Sequence, residues 1–275
     1  MLNYFRKEMV LTMKKIILIC LSLMMLTGCH KSTTKKIKLG LFYGMSEKKL
    51  LKIKKHYDIL VINPHKIAQK DLPTLKKHAK KIYGYLDLSC LTKKKALKSY
   101  KNLTLGTTVS GKKYYMDVTS PKWQSYINKE IKNDASLSLD GYLIDHLDLY
   151  SHYKTTKNYQ ALKTMVTRIQ NQKPVIFNNA KDFILKDTKI LKNVTAITQE
   201  DVFTYWNHKK DAREDVSKKT SDTYKAYLKK MVSLKQHVIV IDFTKKSDWH
   251  AVINAYTKKY NMQAYFGKKT NYSKE

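Results

Sequence analysis

The chain has 275 residues, with Lys and Arg totalling 54 against 22 Asp and Glu, a formal net charge of +32. That length supports one large domain with a proper core once a leader is set aside. The lysines run along the whole chain and arginine is rare, so the charge reads as a solvated basic surface suited to an anionic membrane or wall, not as a base-reading nucleic-acid interface.

Three cysteines, Cys20, Cys29 and Cys90, exclude a disulfide framework, because the first two belong to the leader. The leader begins with the positive Met13-Lys14-Lys15, continues as an apolar run from Ile16 to Leu26, and closes on Leu26-Thr27-Gly28-Cys29. Positive, apolar, then small is a secretory signal, and the run is short for a transmembrane helix. Its last four residues resemble a bacterial lipobox, which implies cleavage before Cys29 and a diacylglycerol thioether on that sulfur. The expected organisation is a signal peptide over 1–28 with the lipobox at 26–29, a polar tether over 29–36, and one domain over 37–275. The expected location is extracytoplasmic, anchored to the cell membrane.

Beyond the tether, short apolar runs alternate with lysine-rich helical stretches. Lys38 to Gly44 predicts a strand and Glu47 to His56 a helix. Tyr57 to Pro64 predicts the second strand, and about Ala68 to Lys80 a helix. The third strand is Lys81 to Ser89, left through a longer segment with a helical piece near Lys93 to Tyr100. Lys113 to Thr119 reads as a fourth strand, after which Ser120-Pro121 starts a helix. Leu139 to Tyr150 (LDGYLIDHLDLY) opens on an Asp-Gly turn and continues as a fifth, buried strand. Lys173 to Asn179, Val194 to Phe203 and His237 to Phe243 are the sixth to eighth. Helices are predicted over about Tyr159 to Gln170, Ser221 to Lys235 and Asp248 to Tyr260. Gln263 to Gly267 is a candidate terminal strand.

The strand runs are apolar on both faces, which suits parallel strands covered by helices. Eight such units in this length predict an α/β fold, a (β/α)8 TIM barrel; a doubly wound open sheet is the runner-up. In a barrel the C-terminal strand ends share one bowl. Those ends carry Tyr43, Asn63, Tyr85, Asp87, Asp117, Asp145 with His146 and Asp148, Asn178 and Asn179, Glu200 with Asp201, and Asp242. Trp206, on the loop after Glu200, is a further candidate for the bowl, whereas Trp123 reads as core.

A collection of acids with aromatic walls, in a chain poor in acids, suits a polyhydroxylated substrate. Glycoside hydrolysis needs one carboxylic acid to protonate the leaving oxygen and one carboxylate to attack or to activate water. Asp145 and Glu200 are the expected catalytic pair. Tyr43, Tyr85, Asp87, Asp117, Asp148, Asn178, Trp206 and Asp242 are the expected substrate-binding residues. His146 beside Asp145 and Asp148 could make a metal site, but no metal-ligand spacing supports one, so neither metal nor cofactor is expected. No Gly-x-Ser-x-Gly elbow exists, and Cys90 has no matched base.

Tyr83-Gly84-Tyr85-Leu86, Tyr115-Met116-Asp117-Val118 with Pro121-Lys122-Trp123-Gln124, Leu139 to Asp145 with Asp148, and then Glu200 together resemble glycoside hydrolase family 114, the endo-α-1,4-polygalactosaminidase-like barrels. The resemblance spans Tyr43 to Tyr265 and departs from the family's pattern at Asn63 and at Leu86 to Ser89. It implies a (β/α)8 barrel with an acidic cleft, endo-acting on an amino-sugar polysaccharide, with Asp145 and Glu200 as its catalytic carboxylates and Asp117 and Asp148 around them. The expected partners are a polysaccharide substrate and, through Cys29, the membrane. A monomer without specific nucleic-acid binding is expected. A non-catalytic glycan-binding lipoprotein on the same barrel is the alternative.

Overall fold

The computed structural model describes residues 35–267. The signal peptide, the lipobox with Cys29 and most of the tether lie outside the described residues.

In chain order the strands are β1 (Leu39–Leu41), β2 (Tyr57–Ile62), β3 (Ala79–Asp87), β4 (Cys90–Thr92), β5 (Thr104–Thr107), β6 (Lys113–Met116) and β7 (Gly141–Asp145). They continue as β8 (Val175–Asn178), β9 (Val194–Gln199), β10 (Thr204–Asn207), β11 (Ala212–Asp215), β12 (Val238–Asp242) and β13 (Gln263–Phe266). Eight of them form one sheet in the order β1-β2-β3-β7-β8-β9-β12-β13, every pairing parallel. The long helices Pro121–Ala135, Thr156–Gln170, Lys218–Ser233 and Ser247–Lys259 lead back to successive strands.

Side chains close the circle between β13 and β1. Gln263 brackets the backbone of Ile37, accepting from its N–H at 2.9 Å and donating to its carbonyl at 2.7 Å. The Tyr265 hydroxyl accepts from Leu41 N–H at 3.3 Å. The barrel is therefore the (β/α)8 fold expected from the sequence.

Period-2 alternation divides the strand residues into two cores. Leu39 and Leu41, Ile59 and Val61, Tyr83, Leu143, Ile176, Ala196, Ile239 and Ile241 fill the barrel interior. Their neighbours Leu60, Ile62, Ile82, Ile144, Phe177, Ile197 and Val240 pack outward under the helices. The same alternation turns Tyr85, Asp145 and Asn178 inward at the C-terminal end, one step above Tyr83, Leu143 and Ile176. Gly141 lets β7 start where it does: a Cβ there would sit 2.5 Å from the Tyr83 ring and 2.6 Å from the Pro174 carbonyl oxygen. Asp140 fixes the approach, its carboxylate accepting from Ile82 N–H at 2.8 Å.

Two expectations are corrected. Lys113 to Thr119 is not a barrel strand. Its ordered part, β6, is the middle strand of an antiparallel sheet with β4 and β5. A parallel neighbour needs a crossover of about a dozen or more residues; residues 108–112 alone join β5 to β6, which allows only an antiparallel return. The eighth barrel strand is instead β13, so Asp145 ends the fourth barrel strand and Glu200 follows the sixth. Second, the expected strand Val194 to Phe203 stops at Gln199, and a β10–β11 hairpin stands over the bowl after Glu200.

Candidate active site

Asp145 and Glu200 meet through Asn178. The Asn178 amide nitrogen donates to Asp145 Oδ1 at 3.0 Å and to Glu200 Oε1 at 2.8 Å. Its orientation is set from behind, where Thr198 Oγ1 donates to Asn178 Oδ1 at 2.7 Å. Asn178 is 2 % exposed, so no water competes for these bonds. Asn179 adds Nδ2 to Glu200 Oε1 at 3.3 Å and accepts from Glu200 N–H at 2.9 Å. Asn179 adopts the left-handed backbone (φ 52°), which Asn tolerates better than most residues.

Around Asp145 the donors converge. Tyr85 O–H gives a hydrogen bond to Oδ2 at 2.9 Å and the His146 N–H one to Oδ1 at 2.9 Å. Tyr43 stacks on Tyr85 with centroids 4.1 Å apart and planes at 18°. Asp87 is the register partner of Asp145 on the adjacent strand. Two neighbouring carboxylates at a barrel mouth repel, and two cations offset this. Lys113 Nζ reaches Asp87 Oδ2 at 2.5 Å and the Tyr85 hydroxyl at 3.3 Å. His146 Nδ1 lies 3.1 Å from Asp87 and 3.5 Å from Asp145, a pairing by charge at close range more than by an aligned hydrogen bond.

The titration of this group follows. Burial pushes the Asp87 carboxyl up, but the His146 and Lys113 charges outweigh it and hold its pKa at about 2. Burial favours neutral His146, yet Asp87 and Asp145 outweigh that and raise it to about 9. Burial, and then the Asp145 and Asp87 charges, lift the Tyr85 hydroxyl well above its ordinary range, so it stays a donor.

The remaining expected residues divide. Asp148 accepts from Tyr115 O–H at 2.7 Å and lies 3.7 Å from His152. Asp117 follows the accessory-sheet strand β6 and not a barrel strand; its Oδ1 accepts from Thr119 N–H and Oγ1–H, ahead of the helix Pro121–Ala135. Asp242 is 1 % exposed and spends its carboxylate on Thr204 N–H, Thr204 Oγ1–H and Thr244 N–H, with Arg213 at 3.7 Å. It braces the hairpin and does not face a ligand. Trp206 stands on β10 opposite Arg213, half-buried. Trp123 is buried, as expected, donating to the Leu88 carbonyl at 3.1 Å. Asn63 caps a 3-10 turn through His65 N–H.

Lys113 and Arg213 were not legible as site residues, since nothing separates them from the general positive charge of the chain. Asp201, next to Glu200, takes the left-handed backbone (φ 54°). The residue as a whole keeps exposed surface, but burial of its carboxyl, and then the Glu200 charge, push its pKa up to about 7.

Asp87, Cys90 and His146 bring ligand-type atoms within 4.8 Å of one another. The donors do not suit a metal. Asp87 already pairs with Lys113 and His146, and Cys90 is buried, so the three atoms do not stand as an open ligand set.

Comparison with protein-family models and with curated proteins gives no match. Solved structures do match. The glycoside hydrolase domain of PelA from Pseudomonas aeruginosa aligns at TM-score 0.73 and 14 % identity, over 86 % of this chain and 96 % of that one. Ega3 from Aspergillus fumigatus, solved in complex with galactosamine, aligns at TM-score 0.61 and 12 % identity, over 89 % and 97 %. The α-galactosidase TtGalA from Thermus thermophilus aligns at TM-score 0.58 and 9 % identity, over 85 % of this chain but 61 % of that one. At such identities the likeness concerns the fold: this chain is a (β/α)8 barrel of the kind that carries the PelA and Ega3 domains.

Proposed function

We propose that this protein is a glycoside hydrolase acting within an amino-sugar polysaccharide, with Asp145 and Glu200 as its catalytic carboxylates. One observation carries this reading: a single amide nitrogen holds an oxygen of each carboxylate, at 3.0 and 2.8 Å. Both oxygens sit on that nitrogen, so they are less than about 6 Å apart, nearer the retaining spacing of about 5–5.5 Å than the wider inverting one. The geometry favours Asp145 as nucleophile. Its oxygens accept from Tyr85 O–H, the His146 backbone N–H and Asn178 Nδ2, with the His146 ring at 3.5 Å, partners that hold the carboxylate in one orientation for attack. Glu200 is then the acid that protonates the leaving oxygen and afterwards the base that activates water. The fold shared with PelA and Ega3, the latter holding galactosamine, supports an amino-sugar substrate.

The charge of the bowl agrees. Asp87, Asp145 and Asp148 offset Lys113, His146 and Arg213, with Asp201 pushed up to about 7, so the bowl lacks the strong positive charge of the rest of the chain. The enzyme would work outside the membrane as a monomer, tethered by a lipid on Cys29 if the Leu26–Cys29 motif is processed.

The test is release of reducing ends from α-1,4-linked galactosamine polymers of graded N-acetylation, and from other wall glycans, by wild type, Asp145→Asn and Glu200→Gln. Both variants are expected to lose at least a thousandfold in kcat, in keeping with loss of a nucleophile or an acid. Product anomers followed by NMR should show retention. Tight polymer binding without cleavage by wild type would favour the glycan-binding alternative.

A further inference from the structure

The two ends of the barrel differ in what their charges do. At the C-terminal end carboxylates crowd the bowl. At the N-terminal end, where helices return to strands, lysines stand on nearly every connection. Lys54 and Lys55 precede β2 and are exposed. Lys76 and Lys77 precede β3, whose opening residues include exposed Lys80 and Lys81. Lys192 precedes β9 and Lys235 precedes β12. Lys258 and Lys259 end the last helix just ahead of β13.

The acids at this end are already committed. Asp58 pairs with Lys80 at 2.7 Å and accepts from Lys38 N–H. Asp140 is spent on Ile82 N–H. Asp134 is 3 % exposed, and its burial pushes it towards neutrality. Asp58 and Asp140 offset part of the charge, Asp58 chiefly that of Lys80, and the other lysines leave the face with a positive excess. It is also low in relief, since the connections joining these helices to the next strands have two to seven residues, whereas the opposite end carries the accessory sheet and the hairpin.

The third observation is at the first strand. Lys36 and Lys38 are exposed at the start of β1, so the first strand adds to the same basic face.

We infer that the N-terminal face of the barrel docks on an anionic phospholipid bilayer, with the bowl turned away from it. Lysines near such a surface add attraction residue by residue within about a Debye length. A flat ring of them orients the body as well as holding it, so the bowl meets polymer approaching from outside. The inference is independent of the reaction, because none of these lysines belongs to the site.

Binding of the full chain to vesicles tests it. Neutral phosphatidylcholine vesicles report whatever the leader contributes; vesicles with about 30 mol % phosphatidylglycerol add the electrostatic part. The expected excess affinity for the anionic vesicles is at least tenfold and falls steeply with salt. Reversing four lysines of this face (Lys54→Glu, Lys55→Glu, Lys76→Glu, Lys77→Glu) should cut that excess at least fivefold. The milder set with Gln at the same positions should fall between, with an unchanged thermal transition. A control set at the other end (Lys157→Glu, Lys209→Glu, Lys245→Glu, Lys246→Glu) should change it less than twofold. Equal losses from the two reversals would show diffuse attraction and overturn the inference. So would equal binding to the two vesicle types, or reversal that weakens duplex DNA binding while leaving the vesicles unaffected.

Discussion

Asn178 Nδ2 lies 3.0 Å from Asp145 Oδ1, on neighbouring barrel strands, and the same nitrogen reaches Glu200 at 2.8 Å. An amide that serves two carboxylates fixes their spacing without contributing a charge. Asn178→Ala removes both bonds and leaves Thr198 Oγ1 without its acceptor. The expected loss is about 100-fold in kcat, the scale of losing one preorganised donor, with KM changed less than threefold. Asn178→Asp should be worse, since it adds a third negative charge. Steady-state kinetics beside a thermal melt check this; kcat within threefold of wild type for the Ala variant would remove Asn178 from the positioning machinery.

Asp145, Asn178 and Glu200 were legible in the sequence because strand-end position and period-2 alternation are local rules. The polar residue that ends an apolar run points where the run's inward residues point. Lys113 was not legible. It reaches Asp87 only because β6 pairs antiparallel with β4 across Cys90 and Tyr115, a contact fixed by tertiary pairing. The misassigned strand has the same origin. KYYM and QAYF are both short aromatic runs; the long helix Ser247–Lys259 leads into QAYF, whereas KYYM follows β5 through a short turn. The segment from Ser89 to Lys113 carries one short helix, which was the available signal for an inserted sheet.

Stability should depend on pH through His146. Its folded pKa, about 9, lies above the ordinary value of 6.5. Its contribution is therefore fully present below about pH 6.5 and is lost as pH rises through 9. The shift corresponds to about 3 kcal/mol at most. His146 has φ 60°, so His146→Asn is the replacement that tolerates the backbone. The variant should be less stable than wild type at pH 6 and approach it at pH 10 in urea titrations. A constant difference across that range would sink the assignment.

Lys113 gives the opposite limb. Asp87 is held at about 2, below its ordinary 3.8, so its contribution is present above about pH 4 and lost as pH falls through 2. Lys113→Met removes one of the two cations that hold it there, and the acid unfolding midpoint should move to higher pH. An unmoved midpoint, followed by circular dichroism, would leave His146 as the sole counter-charge.

Asp134 offers a stabilising change away from the site. It is 3 % exposed, and burial pushes its pKa to about 7, with His65 opposing this and Glu130 adding to it. A carboxyl whose folded pKa lies above its unfolded value costs stability as pH rises from about 4 through 7, and the cost is complete above that. Asn is nearly isosteric and cannot ionise. Asp134→Asn should therefore match wild type at pH 4 and exceed it at pH 8 by on the order of 2 kcal/mol, after allowing for imperfect amide hydrogen bonding. Urea denaturation at the two pH values decides the matter. A variant less stable than wild type at pH 8 would mean that the buried carboxylate is matched by a donor that the amide cannot engage.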